Sequence, residues 1–167
     1  MNRIWVGTPT GLVLFNPSQK SFTHYPTERE VVSIGENPDG QILLGCGAGL
    51  YIFDPENGKI DKLASDPGVL AMTIDRQGNL WTSSYKGLSQ RHPKSKQFTI
   101  QSQFGLGIGS IVEDVNGEIW IFAADKKDDN WFTSLIKFNP SLGTVSANQV
   151  NQLDPRTKLG TGSIRRI

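Results

Sequence analysis

The chain of 167 residues has a single cysteine, Cys46, and no excess of charge of either sign. A single thiol excludes an intramolecular disulfide and a cysteine-rich zinc site. The 17 lysine and arginine residues are balanced by 16 aspartate and glutamate residues, so no broad basic field is available for unspecific binding to nucleic acid. No apolar run approaches the roughly 18 residues of a membrane-spanning helix, and no signal peptide is visible at the N-terminus. The sequence therefore predicts neither nucleic-acid binding nor membrane insertion.

Glycine and proline, in contrast, are frequent, with 18 and 9 residues. Stretches rich in alanine, glutamate and lysine at helical spacing are missing, which argues against a helical bundle. At this length a globular fold buries roughly 70% of the surface of its unfolded chain, enough for one real core. The composition therefore favours short strands and turns.

A repeat of about 38 residues is the strongest feature of the sequence. The segment Ile4–Thr8 has counterparts in Ile42–Cys46 and Leu80–Ser84, at steps of 38 residues, and in Ile119–Ala123 after a further 39. A Gly-Leu pair follows the first three segments, and a dipeptide ending in proline follows all four. Elements that keep their spacing over four copies indicate a repeated structural unit.

Each copy is predicted to form four antiparallel strands. Segments rich in branched and aromatic residues are typical of strands. A more polar strand follows each proline turn, predicted at 21–25, 59–63 and 97–100 in the first three copies. A further strand with two spaced apolar residues precedes the aromatic segment. The two strands are separated by a segment that begins with Asn37, Asp75 or Asp114 and ends with glycine. This pattern predicts a tight turn, since Asn and Asp cap such turns and glycine adopts positive φ. Four strands in about 38 residues are the unit of a β-propeller blade.

The predicted fold is thus an all-β propeller of about four four-stranded blades in a single domain. The predicted blades span approximately residues 1–30 (completed by 163–167), 31–68, 69–107 and 108–162. The completion is expected because Ile164 and Ile167 repeat the apolar spacing of an inner strand, which the first blade lacks. Three arrangements remain open at this point: a four-bladed ring closed within the chain, a larger ring shared by two chains as a homodimer, or part of a larger propeller.

Three tryptophans and the cysteine are predicted to be structural. Trp5, Trp81 and Trp120 recur at one position of the repeat, which is typical of a core position. Cys46 occupies the position of Thr8 in the first copy, where a small buried residue is expected. No neighbouring histidine is implied, so Cys46 is not predicted to be a nucleophile.

The remaining residues give no catalytic or metal site. His24 and His92 occupy different positions of the repeat, so no paired histidine site is expected. The glycine runs 45–49 and 105–109 are followed directly by strands, whereas a dinucleotide fingerprint needs a helix after it. The acidic run 125–129 lacks the alternation of a calcium loop. No cofactor, metal ligand or catalytic residue is predicted.

Two runs of the sequence carry a family resemblance. They are Asp75–Trp81 (DRQGNLW) and Ile4–Phe15 (IWVGTPTGLVLF). Both resemble the two-component regulator propeller repeat, which builds the sensor regions of bacterial hybrid histidine kinases and some diguanylate cyclases. The resemblance implies ligand sensing outside the cytoplasm, in the periplasm, and signalling linked to dimers. No kinase, receiver or cyclase segment fits within the 167 residues.

The fourth copy carries two insertions, at 124–133 and 146–162. Both are predicted as loops on one face of the propeller, and function concentrates on such loops. An extra aromatic pair beside charged residues could stack a ligand ring or anchor a partner, although packing of the long loop explains the same aromatic pair. The candidate binding residues are Asp125, Lys126, Lys127, Asp128, Trp131, Phe132 and Arg156.

The sequence therefore predicts a non-enzymatic ligand-sensing or interaction module of a bacterial signal-transduction protein. Its partner would be an unknown small ligand or a protein on the face of the two insertions. One alternative is a propeller enzyme of the streptogramin-lyase or lactonase type, which needs convergent histidines and carboxylates at the central channel. The other is an architectural ring for protein–protein interaction. The fold alone does not distinguish among these three functions.

Overall fold

The structure is a computed structural model that describes residues 3–64, 68–95, 97–102, 107–127 and 130–149. For residues 102, 107–108, 124–127, 130–133 and 147–149 it describes the backbone alone. Every regular element in these ranges is a β-strand, and all strand pairs are antiparallel. No helix in the described ranges is long and apolar enough to cross a membrane.

Fifteen strands of the described residues form four sheets, here called blades 1 to 4. Blade 1 contains β1 (Ile4–Thr8), β2 (Gly11–Asn16) and β3 (Ser21–Pro26). Blade 2 contains β4 (Val31–Glu36), β5 (Ile42–Cys46), β6 (Gly49–Asp54) and β7 (Lys59–Ala64). Blade 3 contains β8 (Ala71–Ile74), β9 (Leu80–Ser84), β10 (Gly87–Arg91) and β11 (Thr99–Ser102). Blade 4 contains β12 (Gly107–Glu113), β13 (Ile119–Lys127), β14 (Asn130–Asn139) and β15 (Thr144–Gln149).

The all-β propeller prediction is confirmed at the level of the blades. In each sheet the strands pair in chain order, as four-stranded meanders in blades 2 to 4 and as a three-stranded meander in blade 1. The inner strand predicted to complete blade 1, at 163–167, lies outside the described residues. The strand predicted at 97–100 in the third copy begins two residues later, at Thr99.

Antiparallel pairing divides the connections between two faces of the molecule. The turns between inner and second strands, such as 37–41, share one face with the turns between third and outer strands, such as 54–59; we call this the turn face. The turns between second and third strands, such as 46–49, share the opposite face with the segments that link successive blades; we call this the link face.

The tight turns on the turn face confirm the predicted capping. The Oδ1 atom of Asp75 accepts hydrogen bonds from the backbone N–H groups of Gln77 (3.0 Å) and Asn79 (2.7 Å). Asn37 and Asp114 accept two such bonds each in their own turns. The glycine that ends each turn has φ between 78° and 80°, a conformation that L-residues with a side chain rarely adopt.

The core consists of apolar layers between neighbouring blades. Fully burying a large apolar side chain contributes about 1.5–3 kcal/mol, so these layers hold the blades together. The layer between blades 1 and 2 contains Leu12, Val31, Ile42, Leu44, Cys46, Tyr51 and Phe53. The layer between blades 2 and 3 contains Leu43, Leu50, Val69, Met72 and Leu80. The layer between blades 3 and 4 contains Trp81, Leu88, Ile111, Ile119, Ile121, Ile136 and Phe138, with Ala71 and Ala123.

The prediction that the repeated tryptophans are core residues is confirmed in full for Trp81, which is fully buried, and in part for Trp5, which packs against the layer between blades 1 and 2. Trp5 is half-buried and packs on Tyr25 and Phe53. Trp120 is half-buried on the face of blade 4 that points away from blade 3. The repeat position determines which face of a blade the tryptophan occupies, whereas its burial depends on the strands and blades around it. Trp5 faces blade 2 but lies on β1, an edge strand among the described residues. Trp120 faces away from blade 3, and no described blade is placed against it.

Candidate functional site

The first insertion of the fourth copy forms a β-hairpin extension rather than the predicted loop. The strands β13 and β14 continue pairing through Ala124↔Thr133 to Lys127↔Asn130. In blade 2 the corresponding ladder ends at Cys46↔Gly49, the position equivalent to Ala123↔Ser134. We call residues 124–127 and 130–133 the arm. Its pairing follows from sequence, because Thr, Trp and Phe favour strands.

The arm projects from the link face. It adds four residue pairs to the ladder, and a strand rises about 3.4 Å per residue. The arm therefore extends the sheet by about 14 Å beyond the level at which the other described blades turn. The link face is the face on which the two insertions were predicted to lie.

The register of the arm brings the predicted aromatic and charged positions together. Asp125 is directly opposite Phe132, and Lys126 is directly opposite Trp131. Residues directly opposite in an antiparallel pair have Cβ atoms about 4.5–5.5 Å apart. Each aromatic residue of the predicted site is thus paired across the ladder with a charged one, while Lys127 is opposite Asn130.

Two of the predicted site residues, Asp128 and Arg156, lie outside the described residues. The second insertion is described only as far as residue 149, where β15 pairs Gln149 with Ser134. The outer strand of blade 4 therefore reaches the base of the arm. Whether Arg156 belongs to the same site stays a prediction.

An exposed aromatic residue on the link face was missed by the sequence reasoning. Tyr85, in the turn between β9 and β10 of blade 3, has 76% of its surface exposed. The first two copies have Pro9 and Gly47 at this position. An aromatic residue that appears in one copy at a turn position, where no packing requires it, was the signal that could have identified Tyr85.

Cys46 is structural, as predicted. Its side chain is fully buried in the layer between blades 1 and 2. Burial, and to a smaller extent the negative charge of Glu30, raise the pKa of the Cys46 thiol to about 11. A thiol with this pKa is protonated at neutral pH and is a poor nucleophile. Among the described residues no group of three His, Cys, Asp or Glu side chains is placed to hold a metal ion.

Two clefts of the described structure lie on the turn face, opposite the arm. The larger, of about 450 Å³, is lined by charged and polar residues of blades 1 and 2, including Arg3, Asp39, Asp54 and Glu56. The smaller, of about 220 Å³, lies between blades 2 and 3 beside His92. Neither cleft contains a predicted site residue, so the candidate site is the projecting arm with its neighbours on the link face.

Known proteins resemble this chain in structure but not detectably in sequence. No protein-family model matches the chain, and no curated protein matches it in sequence. The extracellular domain of the hybrid two-component system BT3049 from B. thetaiotaomicron superposes with a TM-score of 0.68 at 20% identity, over 91% of this chain. The corresponding domain of BT4673 from the same organism gives a TM-score of 0.61 at 17% identity, over 89% of this chain.

The chain is similar to extracellular domains of bacterial hybrid two-component systems. The predicted resemblance is thereby confirmed at the level of structure. The tricorn protease also superposes, with a TM-score of 0.61 at 15% identity over 87% of this chain and 15% of that one. The chain spans 20% of the length of the BT3049 structure and 27% of that of BT4673. At these identities the similarity shows a shared propeller fold.

Proposed function

We propose that this chain is a non-enzymatic recognition module of a bacterial signal-transduction protein, acting as a sensor region in the periplasm. The similarity to extracellular domains of two-component systems supports this proposal. The recognition surface would be the part of the link face formed by the arm and Tyr85. Its ligand would be a small molecule with a ring, or a protein partner, that packs on aromatic side chains.

The arm is the observation that carries the proposal. It departs from the repeat at a place where the described blades otherwise turn at once, and four extra residue pairs are not needed to complete a blade. Aromatic residues are enriched where proteins bind partners, because they bury a large area at low entropic cost. The register adds a charged residue opposite each aromatic residue, so the same element could supply stacking and charge recognition.

The residues of the inner strands give little support to the enzymatic alternative. Of the carboxylates there, Glu113 is engaged in packing between blades, because its Oε2 atom accepts a hydrogen bond from the backbone N–H of Arg76 at 3.0 Å. The Arg76 side chain also lies 3.6 Å from Glu113 Oε2 and donates to the backbone oxygens of Asp114 and Val115. The similarity to the tricorn protease concerns the fold alone and supplies no catalytic group.

Ligand binding can be tested by screening soluble ring compounds, such as mono- and oligosaccharides, nucleosides and aromatic amino acids, for a shift of the chain's tryptophan fluorescence and melting temperature. We expect a compound that raises the melting temperature, and we expect Trp131→Ala and Tyr85→Ala each to weaken its binding at least tenfold. Leu142→Ala is the matched control, because Leu142 is 73% exposed in the turn between β14 and β15 on the opposite face of blade 4. Equal binding to all three variants would refute the assignment of the site.

A further inference from the structure

Blades 1 and 4 lie at the two ends of the row of described blades, and each has one sheet face that points away from the other blades. On the outward face of blade 1, period-two alternation and the strand pairing place Ile4, Val6, Val13, Phe15 and Phe22. On the outward face of blade 4, they place Val112, Trp120, Phe122, Leu135 and Lys137. We call these the blade 1 end face and the blade 4 end face.

Both end faces are mainly apolar and accessible, and the blade 4 end face carries one charge, Lys137, whose Nζ lies 5.8 Å from the centroid of the Trp120 ring. Val6 and Phe22 are 43% and 72% exposed on the blade 1 end face, and Val112 is 45% exposed on the blade 4 end face. The Phe15 and Phe22 rings stack with centroids 4.8 Å apart, so the two side chains form one aromatic cluster on this face. In the described part of the chain, all extensive strand contacts between blades join consecutive blades, such as β1 with β4 and β8 with β12. The two end faces therefore do not cover each other.

The interior junctions show what each end face normally contacts. Trp5 of blade 1 packs edge-on against Phe53 of blade 2, with ring centroids 5.2 Å apart. Trp81 of blade 3 packs edge-on against Phe138 of blade 4, at 5.6 Å. In both junctions the tryptophan position of one blade meets the phenylalanine position of the next.

The repeat register identifies Trp120 and Phe15 as the two halves of one more such junction. Trp120 is equivalent to Trp81, and Phe15 is equivalent to Phe138. The junction between blades 2 and 3 has neither aromatic residue, since Leu43 and Arg91 stand at these two positions. Each described junction therefore has both aromatic residues or neither. Trp120 and Phe15 each occupy one of these two positions, and neither meets its counterpart at a described junction.

We infer that the blade 4 end face binds the blade 1 end face of a second copy of this chain, with Trp120 against Phe15. A two-fold arrangement makes this junction twice and closes a ring of eight blades. Closed propellers have typically four to eight blades, and a head-to-tail interface is stable as a closed assembly only when its rotation completes a ring. The same kind of apolar layer that joins blades within the chain would join the two chains.

The mass of the purified chain in solution is the first test, measured by light scattering over a range of concentrations. The expected species has about twice the chain mass of 18.4 kDa. A folded monomer at high micromolar concentration would overturn the inference, because the end faces would then be covered within one chain or left free. Species larger than two chains would overturn the closed ring of eight blades.

Single charges placed on the end faces test the assignment of the surfaces. Val6→Glu and Val112→Glu should each convert the chain into a monomer with unchanged far-ultraviolet circular dichroism, because both side chains are half-exposed in the single chain. Val115→Glu is the matched control. It introduces the same charge three residues from Val112, in a turn where Val115 is 83% exposed, and the chain should keep its two-chain mass. A two-chain mass for either end-face variant would contradict the proposal.

Mixing the two end-face variants distinguishes a head-to-tail junction from a symmetric one. The Val6→Glu chain keeps an intact blade 4 end face, and the Val112→Glu chain keeps an intact blade 1 end face. One undamaged junction can therefore form between the two chains, and the mixture should give two-chain species that dissociate more readily than the wild-type pair. A mixture that stays as monomeric as its separate components would overturn the pairing of blade 4 with blade 1.

Discussion

The indole Nε1 of Trp81 donates a hydrogen bond to Oδ2 of Asp75 across 2.8 Å. The same bond, of the same length, joins Trp120 to Asp114 in blade 4. In blade 2 the tryptophan is replaced by Leu43, and an asparagine replaces the aspartate. A carboxylate can cap the turn with one oxygen and accept the indole proton with the other. An amide, whose second polar atom is a donor, suits the turn that has no indole beside it.

The four hydrogen bonds to the Asp75 carboxylate predict that Asp75→Ala is strongly destabilising. The substitution removes the partner of three buried donors, the Trp81 indole and two N–H groups of Asn79, and of one partly buried donor, the backbone N–H of Gln77. Leaving buried donors without partners costs about 1–3 kcal/mol each, so we expect the free energy of unfolding to fall by at least ~2 kcal/mol in urea titrations. Asp39→Ala is the control, since the Asp39 side chain is exposed in the equivalent turn of blade 2. A similar loss in both variants would contradict this account.

The close approach of blades 1 and 2 predicts an effect of adding a single methyl group. A Cβ atom at Gly7 would lie 2.5 Å from the backbone oxygen of Val31 in the next blade. Gly7→Ala must therefore push the blades apart, and overpacking of this kind costs about 1–3 kcal/mol. At Gly47 a Cβ atom would meet nothing within 4 Å, so Gly47→Ala should leave the melting temperature nearly unchanged. Equal melting temperatures for the two variants would show that the blades can separate at no cost.

Burial of Cys46 predicts a loss of stability at alkaline pH. The pKa of its thiol is raised to about 11 in the folded chain, against about 8.5 in an unfolded one. A raised pKa means that the protonated form favours folding. This contribution is fully present below pH 8.5 and is lost as the pH rises towards 11. Urea unfolding at pH 7, 9 and 10.5 should show this loss in the wild type and a smaller one in Cys46→Ala, since lysine and tyrosine titration is common to both.

The bond between Trp120 and Asp114 predicts a loss of stability at acid pH. The indole N–H of Trp120 is the main cause that lowers the pKa of the Asp114 carboxyl below its ordinary value, together with the backbone N–H groups of Glu118 and Asn116 and the charge of Lys137. The stabilisation is therefore present above about pH 4 and is lost as the pH falls through the lowered pKa. The indole proton resonance of Trp120 should shift in this range, below the midpoint of a free carboxyl. In Asp114→Asn the resonance should not titrate there, and a titration that persisted would assign it to another group.

Much of the fold could be predicted from the sequence because the information is local and occurs four times. The turn that starts at Asp75 needs only a carboxylate and a glycine at fixed spacing, and both are visible in the sequence. The alternation of Leu80, Trp81 and Thr82 defines a strand with two faces. The boundaries of β11 were less predictable, because its polar residues form an outer strand whose limits depend on pairing with β10.

The candidate site was only partly predictable. The length of the insertion and its extra aromatic residues identified the region around Trp131. The insertion was expected as a loop, whereas in the structure Ala124 and Thr133, nine residues apart at its base, pair across the ladder. Tyr85 was missed because it is a candidate through its exposure on the link face rather than through a pattern along the chain.

The sequence by itself determined the repeat unit, the turn chemistry and the face of each blade on which a residue lies, because these follow from spacing, backbone alternation and the conformational preferences of Asp, Asn and Gly. The tertiary structure alone decided which of the equivalent residues are buried. Trp5, Trp81 and Trp120 occupy one position in the repeat, yet Trp81 alone is fully covered. The physical reason is that apolar burial depends on the strands and blades brought around a side chain, and a repeat specifies the face of the blade without specifying those neighbours.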